Sequence, residues 1–403
     1  MFWFLPIAAR NLARNRRRTA LTLSALALGV MAVVGVRGFL NGLQASLILG
    51  VVEGGEGALQ VHKRGFMRSV DAVPLTPDME HTEALLARIA AVEGVRAVAP
   101  RIPFAAMVNA GDDSPFARVL GTDPVRELEV SPRRKERVVD GRWLAGESDL
   151  LLGMELAEGL GIEPEEKVAL LTNDRDGVMN AVEAGFQGQL AAGTHAEKKL
   201  AVISLQQAQE LLRMEGRITE VAVAVDDLDE VDAVKGRLEA ALGPGYEVHT
   251  WKDLAPFAED ARELQDTALG FVVAIFLFII LMGIANTLLM SVMERVREIG
   301  TMMAVGARRR QVLGLFIAEG ATLGVLGAAL GSALGTVLVV ILGATGVRLL
   351  TPGASVPELI VPYITPGFLV GMVALGGVGA ALFAVWPAWK ASRLRPAVAL
   401  TKV

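Results

Sequence analysis

Met293-Glu294-Arg295-Val296-Arg297-Glu298-Ile299-Gly300, running on through Met302 and Met303 to Gly306-Ala307-Arg308-Arg309-Arg310, is a charged stretch of helical character between two long apolar segments. A connection that only turns the chain around at a membrane surface needs a few polar residues, and about seventeen exceed that requirement. The stretch therefore predicts a docking helix, with Glu294, Arg297, Glu298, Ile299, Gly300, Met303 and Gly306 as its candidate coupling residues.

The flanking segments decide the architecture. Leu269 to Val292, Val312 to Leu342 and Phe368 to Trp386 are apolar runs with the roughly 20 residues needed to cross a bilayer core, and Thr19 to Val36 is just long enough. Arginines cluster at Arg10, Arg14 and Arg16 to Arg18 before the first run and at Arg295 to Arg310 between the second and third. Lys390, Arg393 and Arg395 follow the fourth, whereas the loop from Gly343 to Gly367 holds only Arg348. Basic loops stay cytoplasmic, so both termini and the Arg295 loop are expected inside and the block between the first two runs outside. Thr19 to Val36 has a second reading as a cleavable signal core, with Ala25-Leu26-Ala27 as its small-residue triplet. An uncleaved span closes the four-helix topology, and Phe2, Trp3, Phe4 and Leu5 read as a lead-in at headgroup level.

Charge is segregated in the same way. In a chain of 403 residues that is 52% hydrophobic and 21% charged, 40 of the 44 acidic but only 23 of the 39 basic residues fall between positions 50 and 268. That block carries −17 and the remainder +12, so the net −5 conceals an acidic soluble domain set into a basic membrane frame. The expected fold is membrane α-helical, with four transmembrane helices and a large external α+β domain inserted between the first and second. The divisions are 1–49, first helix and stalk; 50–253, soluble core; and 254–403, second stalk and three-helix membrane region. Membrane lipids are expected partners and nucleic acid is not.

Inside the soluble block, β-type runs at Ala58 to His62, Val95 to Pro100, Val119 to Gly121, Lys167 to Leu171, Leu200 to Ile203 and Glu220 to Val225 alternate with helical stretches at Thr82 to Val92, Glu155 to Leu160, Leu205 to Met214 and Asp229 to Leu242. Two lobes are expected. Asn173-Asp174-Arg175-Asp176-Gly177 reads as a hairpin turn. Val36, Leu40, Leu43 and Leu47, and likewise Leu254, Phe257, Ala261, Leu264 and Ala268, repeat at spacings of three and four, which fits either a paired helical stalk or two helices packed on the domain.

Enzymatic chemistry has few candidates. There is no Gly-Lys pair, hence no phosphate-cradling loop within these residues. His62, His81, His195 and His249 stand singly without ligand spacing, and the absence of cysteine removes thiol chemistry, Cys-ligated zinc and disulfides. No catalytic residue, metal or cofactor is expected in this chain.

The membrane runs carry a different signal. Gly320, Gly324, Gly327, Gly331 and Gly335 form a ladder that lets backbones approach closely, within one chain or between two. Glu319 lies about two turns above the start of the third run and Asn286 at a similar height in the second, so a hydrogen bond between them is expected; a proton-relay role for Glu319 is the alternative. Arg37, at the opposite leaflet, is expected to snorkel.

Glu298-Ile299-Gly300, Ala304-x-Gly306-Ala307, Arg309-x-Gln311-Val312, Phe316 and Glu319-Gly320 with the ladder resemble the FtsX-like permeases of MacB-type ABC transporters. The tail from Pro387-Ala388-x-Lys390-Ala391 to Ala399-Leu400, Gly141-Arg142-Trp143-Leu144, Leu152-Gly153-x-x-Leu156-Ala157 and Leu40-Asn41-Gly42-Leu43-Gln44 are similar to further family stretches, and the resemblance spans essentially the whole chain. Glu166 and Arg395 depart from the family pattern. The resemblance implies a homo- or heterodimer of permeases, an ABC ATPase subunit of the LolD or MacB type carrying ATP and Mg, a MacB-like periplasmic core domain, and mechanical transmission in an inner membrane. Size and the Leu40 to Gln44 segment look most like the lipoprotein-releasing LolC/LolE permeases, which implies lipoprotein extraction toward a periplasmic carrier or adaptor. The alternatives are efflux of peptides or amphiphilic drugs and regulation of a cell-wall hydrolase. By the same resemblance, Leu40, Leu43, Val273 and Phe276 are expected to line a substrate cavity, and Asp174 and Arg175 to mark a partner-binding hairpin.

Overall fold

The computed structural model describes residues 16–66, 75–110, 113–351 and 353–393. The lead-in at Phe2 to Leu5, Arg10, Arg14 and the tail from Leu394 lie outside the described residues. In chain order the helices are α1 (Arg16–Val51), α2 (Glu83–Ala90), α3 (Pro124–Val130), α4 (Arg133–Glu136), α5 (Met154–Leu160), α6 (Leu205–Leu212), α7 (Val231–Leu242), α8 (Trp251–Leu254), α9 (Pro256–Glu294), α10 (Val296–Ala304), α11 (Arg309–Thr345) and α12 (Pro366–Ser392). The strands are β1 (Leu59–Lys63), β2 (Met79–Glu80), β3 (Val95–Asn109), β4 (Phe116–Thr122), β5 (Val138–Gly141), β6 (Asp149–Gly153), β7 (Lys167–Asn173), β8 (Met179–Leu190), β9 (Leu200–Ser204), β10 (Arg217–Ile218), β11 (Glu220–Val225), β12 (Tyr246–Thr250), β13 (Val347–Leu349) and β14 (Glu358–Ile360). The chain forms two units, one of residues 1–44, 262–347 and 360–403, the other of 45–261 and 348–359.

The first unit is helical. Among the described residues four helices are long and apolar enough to cross a membrane, and they contain the four expected runs. In hydrocarbon every backbone N–H and C=O needs an internal partner, which a continuous helix supplies. Leu26, Val30 and Val34 of α1, Leu281, Ile284 and Leu288 of α9, Leu323 and Ala328 of α11 and Ala380 and Ala384 of α12 meet in one buried core. Apolar side chains on the outer face of α9, among them Phe271, Ile275 and Ile279, are exposed, as a lipid-facing surface requires. The expected heptad stripes are buried only in part: Leu40, Leu43, Leu47, Leu254 and Ala261 are half-buried, whereas Val36 is 47% and Leu264 71% exposed. Instead of merely snorkelling, Arg37 pairs with Asp266 of α9 at 2.5 Å and lies over the Phe368 ring, because a carboxylate at matching height gives the cation a direct partner.

The second unit is α+β. Its ten-stranded sheet runs β12-β1-β11-β3-β4-β9-β6-β8-β5, with β7 attached to β3 and β8. β4 with β9 and β6 with β8 are parallel, while the other pairings within this sheet are antiparallel. The expected two lobes are in fact joined by one sheet, and fifteen-residue β3 is the reason. Residues 95–101 pair with β11, 101–107 with β4 and 107–109 with β7, so one strand serves both halves. One large core containing Leu59, Ile102, Phe104, Leu150, Phe186, Ile203 and Val223 spans both halves, with smaller buried clusters around Leu151 and Ala222.

Candidate functional site

The charged connector folds as the nine-residue helix α10, shorter than the expected stretch. It is bounded by Arg295, outside helical geometry, and by a turn at Gly306, whose φ of +105° disfavours any residue with a Cβ. The seven candidate residues divide between two faces. Ile299 and Gly300 are buried, Ile299 in a core with Val292, Val312, Phe316 and Ala388, and Met303 packs against the same core. Glu294, Arg297 and Glu298 are exposed beside Thr301, and Val305 is 86% exposed. Within α10 the helical period explains the division, since positions 299, 300 and 303 share one side and 297, 298 and 301 lie on the other. Ile299, Gly300 and Met303 thus anchor the helix, and Arg297 and Glu298 lie on its exposed face.

The expected Asn286–Glu319 hydrogen bond is not formed. Glu319 is buried and its Oε2 lies 3.7 Å from Arg295 Nη1, whereas Asn286 is exposed. Leu281, Ile284, Leu288 and Val292 form the inward stripe of α9, and Asn286, two residues from two of them, points elsewhere. A full positive charge is also a better partner for a buried carboxylate than an amide. Arg295 Nε lies 3.7 Å from Glu298 as well, so one guanidinium connects the exposed face of the connector to a carboxylate inside the helical unit.

The glycine ladder is used within the chain. A Cβ on Gly324 would fall 2.3 Å from the Gly376 carbonyl oxygen of α12, and one on Gly331 would fall 2.6 Å from the Ala27 carbonyl oxygen of α1. Gly327 and Gly335 face Leu26 and Val34 of α1 in the same manner, so α11 touches α12 with one end of the ladder and α1 with the other.

Leu40 and Leu43 are half-buried on α1, Val273 packs against the helical core and Phe276 is 43% exposed. The hairpin between β7 and β8 is present, but Asp174 is not a docking residue: it is 3% exposed and its Oδ1 accepts the N–H groups of Asp176 and Val178. Arg175 pairs with Asp78 at 2.9 Å. Turn chemistry and attachment to the domain body occupy both side chains.

A feature the sequence reading missed lies wholly within the α+β unit. Arg101 of β3 is 2% exposed and donates Nε and Nη2 to the two carboxylate oxygens of Glu127 on α3, at 2.8 and 2.7 Å, and Nη1 to Glu220 of β11 at 3.1 Å. Arg134 Nε lies 2.9 Å from Glu127, Arg118 pairs with Glu56 at 3.5 Å, and Arg137 bridges Glu197 and Glu358 at 2.9 and 3.1 Å. Burial opposes ionisation of Glu127, but Arg101 and Arg134 hold its carboxyl below the usual range. Burial also opposes ionisation of Glu56, and Arg118 and Arg101 outweigh it. At Glu220 burial prevails over the shared Arg101, with Glu56 adding repulsion, and the carboxyl is pushed up to about 7. The visible signal was charge inside β-type apolar runs: Arg101 between Pro100 and Ile102, and Glu220 heading Val221-Ala222-Val223. This network borders a cavity of about 650 Å³. Among the described residues no group of three or more His, Cys, Asp and Glu side chains could hold a metal ion.

Comparison with known proteins agrees with this architecture. The MacB-like periplasmic core domain family matches residues 19–241 and the FtsX-like permease C-terminal family matches 270–396. The macrolide export ATP-binding/permease protein MacB of Nitrobacter winogradskyi is 29% identical over the whole chain, which covers 61% of that protein. An ABC transporter permease of Methanocaldococcus jannaschii, described as uncharacterized, is 24% identical, with 92% of each chain covered. The crystal structure of the periplasmic region of MacB from Actinobacillus actinomycetemcomitans overlaps half of this chain at 12% identity and a TM-score of 0.35, a loose overlap that adds nothing to the assignment. The chain spans about three fifths of the length of the MacB proteins it matches. This is a membrane protein with a MacB-type soluble domain inserted between its first two spans. It belongs to the MacB/FtsX family of ABC transporter permeases.

Proposed function

We propose that this chain is the non-catalytic permease of an ATP-driven, mechanically coupled transporter, and that the exposed face of α10 receives the nucleotide-binding partner. The observation that carries this reading is the two-faced connector: Ile299 is buried in the helical core while Glu294, Arg297 and Glu298 face outward. A helix fixed on one side and charged on the other suits transmission of a partner's movement. Arg295, near both Glu298 and Glu319, supplies a physical route into α11. ATP and Mg belong to the partner, an ABC ATPase of the MacB or LolD type. Basic clustering around the connector supports a cytoplasmic α10 and cytoplasmic termini in the inner membrane, with the α+β unit periplasmic. A second permease protomer completes the assembly.

For the work done outside, the relatives named macrolide exporters favour efflux of amphiphilic molecules through a periplasmic adaptor. Lipoprotein extraction toward a periplasmic carrier is the second reading, favoured by the Leu40-Asn41-Gly42-Leu43-Gln44 stretch. Co-purification from native membranes followed by mass spectrometry tests both. An ABC ATPase is expected in either case, with an adaptor supporting efflux and a lipoprotein carrier supporting extraction; recovery without any ATPase would refute the transporter reading.

A further inference from the structure

The cavity in the α+β unit has two contrasting walls. Leu47, Val51, Pro103, Leu120, Leu200 and Leu254 supply apolar surface, and members of the arginine–glutamate network, Glu220 among them, supply charged surface. At about 650 Å³ it lies in the range of small-molecule sites, which pair a largely apolar lining with a few placed polar groups. The network is not balanced. Arg101, Arg118, Arg134 and Arg137 stand against Glu56, Glu127, Glu197, Glu220 and Glu358, while the adjacent Arg133–Glu53 pair is neutral.

Four of the five carboxylates are well supplied. Glu127 has Arg101, Arg134 and the Thr122 hydroxyl, and Glu56 has Arg118 and Gln60. Glu197 has Arg137 and the backbone N–H groups of Gly193 and Thr194, and Glu358 has Arg137 and Ser46. Glu220 has, among the described residues, only Nη1 of an Arg101 already committed to Glu127. The groups facing it from neighbouring elements are Arg101 on β3, Glu56 after α1, Arg118 on β4 and His62, its cross-strand partner on β1, kept neutral by burial.

We propose that this cavity is a binding site for a small amphiphilic cation, an organic amine with an apolar body, whose ammonium group takes the unmatched place beside Glu220. The apolar body lies on the leucine wall and the cation brings the network to neutrality. Without ligand a proton serves that purpose, since the Glu220 carboxyl titrates at about 7. Amine binding therefore releases this proton, and affinity rises as pH rises through 7. The site stands on the cavity alone and is independent of the transport reading.

The test uses the full chain in zwitterionic nanodiscs, with empty nanodiscs subtracted, and a matched series of 6-(2-naphthyl)hexylamine, the corresponding alcohol and 6-(2-naphthyl)hexanoate. Calorimetry is expected to show the amine binding at least about tenfold more tightly than either analogue. Comparison of buffers with different ionisation enthalpies is expected to show proton release on amine binding that diminishes as pH is raised above 7. Glu220→Gln should abolish the amine preference and Glu220→Asp should retain it, while Leu120→Trp, which fills the cavity, should weaken all three ligands. Melting curves establish that each variant is folded. Equal binding of the three compounds, a preference for the carboxylate, an amine preference surviving Glu220→Gln, or unchanged binding in folded Leu120→Trp would each overturn the proposal.

Discussion

Replacing Gly324 by alanine places one methyl group where α11 and α12 have no room. The new Cβ would sit 2.3 Å from the Gly376 carbonyl oxygen and 2.5 Å from the Ala380 Cβ. Ordinary contacts are about 3.3–3.6 Å for carbon to carbonyl oxygen and about 3.5–4.0 Å between carbons, so the helices must part by about 1 Å. Overpacking of this kind costs about 1–3 kcal/mol, partly offset by up to about 1 kcal/mol of improved helix propensity. Gly371 on α12 is the internal control, because a Cβ there meets nothing within 4 Å and receives only the propensity gain. Gly371→Ala should therefore be at least as stable as the parent, with Gly324→Ala about 1–3 kcal/mol below that control. Reversible unfolding in mixed detergent micelles, followed by far-UV circular dichroism, measures the difference. Equal stability of the two variants would refute the assignment of this contact to packing within the chain.

Three further predictions concern buried charge. Arg101→Met strands Glu127 and Glu220 and should lower stability by about 3–5 kcal/mol in denaturant melts, whereas Arg126→Met, which breaks the exposed pair with Glu83, should cost at most about 1 kcal/mol. Glu319→Ala should destabilise the helical unit, and a double-mutant cycle with Arg295→Ala should return a coupling of about 0.5–3 kcal/mol; a coupling of zero would remove Arg295 as the partner. Glu220 takes its proton more readily in the folded state than in the unfolded chain, where the usual value is 4.5. Its contribution to stability is then fully present below pH 4.5 and lost as pH rises through about 7, so Glu220→Gln should flatten the pH dependence of the melting temperature between those values.

The membrane frame was readable because bilayer thickness imposes a length and basic residues punctuate the runs: each expected span lies inside an observed helix. The main strands of the soluble unit were readable from β-type apolar runs, but their continuity was not. Val95 to Pro100 appeared as one short strand, whereas β3 continues to Asn109 and joins two halves of a sheet through pairings with strands far away in sequence. Long-range pairing leaves little local trace. Partner choice was the other blind spot. Height along the helices pairs Asn286 with Glu319, but helix rotation turns Asn286 outward and an arginine outside regular helix lies near Glu319 instead. The heptad stripes are buried only in part, and the close contacts of α1 are made where Gly35 and Gly38 admit Leu338 and Val339 of α11. The Arg101 network combines residues from several separate elements, and no local spacing announces such a convergence.

In the proposed function the charged face of α10 passes a partner's ATP cycle into the helical unit. The most direct measurement of this is ATP hydrolysis by the cognate ATPase reconstituted with the permease, comparing the parent with Glu298→Lys, and with Gly300→Pro as a break in the anchored helix. Both variants should insert into the membrane, and the permease-dependent part of hydrolysis should fall by at least about tenfold, equivalent to about 1.4 kcal/mol of lost coupling. Hydrolysis unchanged in both inserted variants would contradict the account.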